Sequence, residues 1–163
     1  SMLRPGREPE DPCDVDACRE SALRLLDAAD RPSGALRDRL IGKGYDDETV
    51  AAVVDRLIEV GLVDDESYAQ SAVRYCVGRL MGYRGAVMEL ARKGVDRPLA
   101  ERVCDESRMS GVFEDAAWEL GRRSAAKTQG MDPKVRKRRF WSSGGRKGHD
   151  AETLRAIAHE LFD

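Results

Sequence analysis

Lys43-Gly44-Tyr45-Asp46, Lys93-Gly94-Val95-Asp96 and Lys147-Gly148-His149-Asp150 are three copies of one string, spaced by 50 and then 54 residues. The residues downstream of each copy also match. Val50, Ala100 and Leu154 stand four residues after the Asp, Val53, Val103 and Ile157 seven after it, and Val54, Cys104 and Ala158 eight after it. Offsets of four, seven and eight fall on one face of a helix. The string itself has local physics. Glycine suits the left-handed residue that ends a helix. Lysine in the last turn complements the negative helix end. Aspartate two residues after the glycine accepts the free N–H groups of the next helix. Each copy is therefore a helix stop, a one-residue bridge and a helix start.

Working outward, Leu40, Leu90 and Phe140 recur at intervals of 50 on the short helix before each stop. The spacing predicts nine helices. In the first repeat they cover residues 16–29, 34–43 and 47–60. In the second they cover 66–80, 84–93 and 97–108, and in the third 111–127, 133–141 and 151–162. Ser33, Ser110 and Asp132 are candidate N-caps, and Pro133 takes the first helical position that proline favours. The four residues Ser142-Ser143-Gly144-Gly145 read as an insertion that lengthens the loop before the last helix and accounts for the longer second interval. A three-helix unit is too small to bury its apolar face alone, so stacking on a neighbour completes the core. The expected fold is all-α: three tandem three-helix repeats forming an elongated, curved array. Its parts are an acidic, proline-rich flexible arm (1–15) and repeats at 16–62, 63–109 and 110–163.

Composition agrees and excludes alternatives. Charged residues make up 36% and apolar residues 41% of 163 residues, a balance that suits amphipathic helices. With six Pro and only three Phe, a β-sandwich is not expected. No apolar run approaches the roughly 18 residues that span a bilayer, so no membrane partner is expected. Cys13, Cys18, Cys76 and Cys104 form no Cys-x-x-Cys and have no histidine at zinc spacing. They read as free thiols in a reducing cytoplasm, Cys76 and Cys104 on buried stripes, Cys13 and Cys18 on or near the first helix and exposed. No glycine-rich phosphate loop follows a strand, so no cofactor is expected. With His149 and His159 the only histidines and no nucleophile signature near them, neither catalytic residue nor metal ligand is assigned.

The net charge of −2 hides an asymmetry. Between Asp46 and Ser67 eight acids face one base, Arg56; between Gly121 and His149 ten bases face one acid, Asp132. Asp64-Asp65-Glu66 could be a metal or acid–base cluster, but acids at a helix start are the expected cap. Lys134, Arg136, Lys137, Arg138 and Arg139, with Arg146 and Lys147, could be a solvated helix face. Yet like charges one turn apart repel by a few tenths of a kcal/mol per pair, and no acid in the run offsets them. That favours contact with an anionic surface. Arg74, Arg79, Arg84, Arg92 and Lys93 are a sparser second set. Phe140 and Trp141 beside the basic block could stack on nucleic-acid bases; Phe140 belongs to the core by register, and Trp141 is left open.

The join Gly61-Leu62-Val63-Asp64-Asp65-Glu66-Ser67-Tyr68-Ala69, then Gly82-Tyr83-Arg84-Gly85 and Glu89-Leu90-Ala91-Arg92-Lys93-Gly94-Val95, resembles the RecX family of bacterial regulators. The resemblance runs from about Ala17 to Asp163. It implies three tandem three-helix repeats, no catalysis, and binding to the RecA recombinase filament on single-stranded DNA. The implied consequences are slower filament growth, less ATP hydrolysis by RecA, and weaker strand exchange and SOS repressor cleavage. A monomer is expected. The alternative reading is a direct DNA-binding module of helix-turn-helix type, which the basic third repeat supports and the net negative charge opposes. Some weak direct DNA contact is compatible with either. A scaffold for another protein is a third.

Overall fold

A computed structural model describes residues 8–163. Among these residues the chain is entirely helical. The helices are α1 (Val15–Ala28), α2 (Ser33–Gly42), α3 (Asp47–Glu59), α4 (Asp65–Gly78), α5 (Tyr83–Arg92), α6 (Arg97–Met109), α7 (Val112–Lys127), α8 (Pro133–Arg146) and α9 (Ala151–Phe162). They divide between two compact units. One reaches to Tyr68 and includes Lys93–Asp96, and the other comprises Ala69–Arg92 and Arg97–Asp163.

The repeated string behaves as its chemistry dictates. Gly44, Gly94 and Gly148 have φ of 112°, 104° and 87°, the left-handed region open to glycine. Lys43 and Lys147 occupy the C-cap positions of α2 and α8. Asp46 Oδ1 accepts from Thr49 N at 2.9 Å, and Asp150 Oδ1 from Thr153 N at 2.8 Å. The glycines have a second use. A Cβ on Gly94 would come within 2.8 Å of Ala35 N, and one on Gly148 would overlap Gly85 N. Each of these two turns thus lies backbone to backbone against the start of the short middle helix one repeat earlier. Gly82 N donates to Lys147 O at 2.8 Å across the second of these contacts.

In the first unit, α1, α2 and α3 bury Cys18, Ala22, Leu25, Leu36, Leu40, Val50, Val53, Val54 and Leu57 in one cluster. In the second, α7, α8 and α9 close on Phe140, with Ala117, Leu120, Leu154, Ile157 and Phe162 around it. Fully burying one such leucine or phenylalanine stabilises the fold by about 1.5–3 kcal/mol, which outweighs any single cap.

Several expectations are corrected. The four residues 142–145 do not lengthen a loop: α8 runs through them to Arg146. Four residues are close to one 3.6-residue turn, so the helix gains about 6 Å while its face rotates by only about 40°. Gly144 lets the Leu154 side chain pack close against this turn, since a Cβ there would overlap Leu154 Cδ2. Ser33 is not an N-cap but the first residue of α2. Its N–H and Oγ donate to the carboxylate of Asp65 at 2.6 and 2.5 Å, so the cap comes from another helix. Ser110 donates its Oγ back to Ser107 O, and Gly111 precedes α7 in the cap position. Cys18 is buried rather than exposed, while Cys13 is exposed. Of the arm 1–15, residues 1–7 lie outside the described residues. The rest packs on the first turn: a Gly44 Cβ would meet Pro9 Cδ at 2.9 Å, Asp46 N donates to Pro12 O at 3.0 Å, and Cys13 Sγ to Asp46 Oδ2 at 3.3 Å.

Candidate functional site

The acidic cluster at the join is structural. Asp64 Oδ1 accepts from Ser67 N at 3.0 Å, capping α4 from its N-terminal end, and Asp65 caps α2. Among the described residues no group of three His, Cys, Asp or Glu side chains is placed to hold a metal ion. No helix of the described residues is long and apolar enough to cross a membrane.

Bases dominate the surface of the second unit around α8. Asp132 starts that helix by accepting from Lys134 N at 2.8 Å, with Pro133 at its first position. The five bases beyond Pro133 then separate by helical phase. Arg136 turns inward: Nε donates to Thr128 Oγ1 at 3.0 Å, an amino group donates to Ala125 O at 2.9 Å, and the guanidinium lies 5.0 Å over the Phe162 ring. Lys137 pairs with Asp163, whose carboxyl it holds below the usual range together with His159. Lys134, Arg138 and Arg139 are exposed and have no side-chain partner among the described residues. Within one run of five bases, then, two tie the helix down and three face outward.

The extended end of α8 borders two clefts. One, of about 510 Å³, is lined by Arg79, Arg123, Lys127, Arg139 and Lys147, with the hydroxyls of Ser124, Thr128 and Ser143 among them and, among the described residues, no acidic side chain. The other, of about 520 Å³, has Trp141, Arg146, Met88 and Arg84 on its walls. Trp141 is 41% exposed and Met88 63%, and Arg155 lies 6.0 Å over the indole. Trp141, left open by the sequence, is therefore a surface residue, whereas Phe140 is fully buried.

His149, which lines the second cleft, is tied to Leu80, which lines the first. Its Nε2–H donates to Leu80 O at 2.8 Å. Leu80, at the turn after α4, has φ of 63°, the single non-glycine residue with positive φ among those described. Burial holds the His149 pKa below its ordinary value, partly opposed by that bond.

The remaining expected site residues are dispersed. Arg74 donates to Ser71 Oγ at 3.0 Å and Arg146 to Ser142 Oγ at 2.7 Å. Arg92 forms a two-pronged bond to Glu89 at 3.1 and 2.7 Å. Lys93 follows α5 at its stop and is half-buried. Arg79, Arg139 and Lys147 come together, joined by Arg123 and Lys127, which the sequence alone does not single out. Their signal is present in the excess of bases between Gly121 and His149, but only the turn of α7 toward α8 gives it a place. Arg123 also bonds Glu119 Oε2 at 3.0 Å, and with Arg122 lowers the Glu119 pKa.

Comparison with known proteins agrees with this architecture. The family model described as RecX, first three-helix domain, matches residues 18–57. Regulatory protein RecX of Thermobifida fusca is 38% identical over 147 residues, spanning 88% of this chain and 78% of that protein. Regulatory protein RecX of Streptomyces lividans is 32% identical over 163 residues, spanning 99% and 85%. A relative of the same name from Mycobacterium sp. strain JLS matches at 42% over 100 residues, 54% of its length. The crystal structure of RecX from Lactobacillus salivarius has the same fold, with a TM-score of 0.79 at 21% identity, over 91% of this chain and 96% of that one. Taken with the helical architecture and the three glycine turns, the relatives from Thermobifida and Streptomyces show that the chain belongs to the RecX family of regulatory proteins.

Proposed function

We propose that this chain binds the RecA filament on single-stranded DNA and restrains its growth, its ATP hydrolysis and its strand exchange. On this reading residues 16–62, 63–109 and 110–163 are three repeated modules, and the chain carries out no catalytic step of its own. Family membership supports a regulatory role. The observation that favours a charged docking surface is the exposed trio Lys134, Arg138 and Arg139 on α8, bases that have no side-chain partner among the described residues and repel one another until an anionic surface meets them. Each exposed ion pair formed on binding contributes up to about 1 kcal/mol, so the trio adds affinity and steering rather than the whole binding energy.

The test is RecA's ATPase on single-stranded DNA, with and without the purified protein. The expected outcome is a lower steady-state rate at comparable or smaller concentrations of this protein, and no hydrolysis by the protein alone. An unchanged rate with RecA from a related bacterium at every ratio up to a clear excess counts decisively against the reading.

A further inference from the structure

The cleft between the end of α4, α7 and α8 has a charge that the fold does not neutralise. A bland account exists for its bases: three helices end there, at Gly78, Lys127 and Arg146, and cations are favoured at helix C-termini. The magnitudes decide against that account alone. A helix end carries roughly half a negative charge, so three ends supply about −1.5. Glu119, bonded to Arg123 from outside the cleft, supplies one more. Five cationic side chains line the cleft. An excess of about two and a half positive charges is therefore left over, with no acid on the walls among the described residues. The hydroxyls of Ser124 and Ser143 add neutral polar groups of the kind that bond phosphate oxygens, whereas the Thr128 hydroxyl is spent on Ser124 O and Arg136. A volume of about 510 Å³ is within the range of small-ligand sites.

We propose that this cleft is a binding site for a phosphoryl group, with Arg79, Lys127, Arg139 and Lys147 as its principal cations. Arginine offers the planar two-pronged geometry that matches phosphate oxygens, and lysine the point charge. The phosphoryl group has two possible sources of the same chemistry: a free polyphosphate or nucleotide, and the backbone of a single-stranded nucleic acid. The site stands independently of RecA, since every residue named is on this chain and in one of its compact units.

The test uses the full chain without RecA, at constant ionic strength. Pyrophosphate is titrated by calorimetry, and a fluorescent single-stranded oligonucleotide by anisotropy. Two variants carry the same charge change: Lys127→Glu with Arg139→Glu inside the cleft, and Lys134→Glu with Arg138→Glu on α8 outside it. All four side chains are solvent-facing and without a side-chain partner among the described residues, so both variants should keep the parent's helical spectrum; Lys127→Gln with Arg139→Gln is the milder substitute if the first does not. Binding of pyrophosphate that drops about tenfold in the cleft variant and less than about threefold in the outside variant supports the site with a free source. Binding of the oligonucleotide alone, with the same selective loss, supports it with a nucleic-acid source. Equal losses in the two variants, or no binding of either probe, overturn the proposal.

Discussion

Glycine in the repeated turn answers two demands that one substitution can separate. Gly94 and Gly130 both have left-handed φ, 104° and 84°. Around Gly130 a Cβ would meet nothing within 4 Å, whereas at Gly94 it would press on Ala35 N at 2.8 Å. Gly130→Ala should therefore cost about 1 kcal/mol, the conformational penalty alone. Gly94→Ala should cost more than twice that, because the backbone of the earlier middle helix must also move. Thermal unfolding of the two variants side by side measures the difference. Equal melting temperatures would mean that the turn yields freely and that the close approach contributes nothing to stability.

The run from Lys134 to Arg139 shows how an element sorts residues that composition treats alike. Arg136→Ala should lower stability by about 1–3 kcal/mol, since Thr128 Oγ1 and Ala125 O lose a charged donor and the Phe162 ring loses its cover. The combined change Lys134→Glu, Arg138→Glu, Arg139→Glu should leave the melting temperature level or higher by relieving repulsion. On the proposed function it should also weaken the effect on RecA's ATPase, most at low salt, where steering is least screened. A triple variant with the parent's effect on RecA's ATPase would remove these bases from the proposed RecA contact. The helices themselves are legible in the sequence, because caps and apolar offsets are local and the string Lys-Gly-x-Asp repeats them. The end of α8 is not: Ser-Ser-Gly-Gly has the composition of a loop, yet the helix runs through it with Gly144 packed against the Leu154 side chain. The cleft is half legible. Arg139 and Lys147 stand in the basic run, but Lys127 joins them through the antiparallel return of α8 along α7, which no spacing in the sequence announces.

For the molecule as a whole, two classes of titrating group predict acid unfolding in two stages. His149 is buried with its pKa below the ordinary value, so the folded state favours the neutral ring. That stabilisation is complete above the unfolded pKa near 6.5 and declines as pH falls below it, because the unfolded chain takes up the proton first. Asp46, its pKa lowered mainly by the Thr49 hydroxyl and N–H, and Asp150, lowered mainly by the Thr153 N–H, hold their contribution above the ordinary carboxylate range and lose it below about pH 4. Melting temperature against pH should fall first below about 6.5, then more steeply below about 4. His149→Asn should start from a lower stability, having lost a shaped ring against Leu80, but should lack the first decline. A variant curve parallel to the parent's between about pH 6.5 and 4.5 would remove His149 from this account. The lengthened α8 bears on heredity as well. A gene that grows by copying a module constrains every copy to the same phase, and most insertions would swing a helix's apolar side toward water. Four added codons between Trp141 and Arg146 are close to the smallest in-frame gain that spares the phase. The third copy could thus gain a longer helix and a bordering hollow while the residues around it went on meeting the partners they already had.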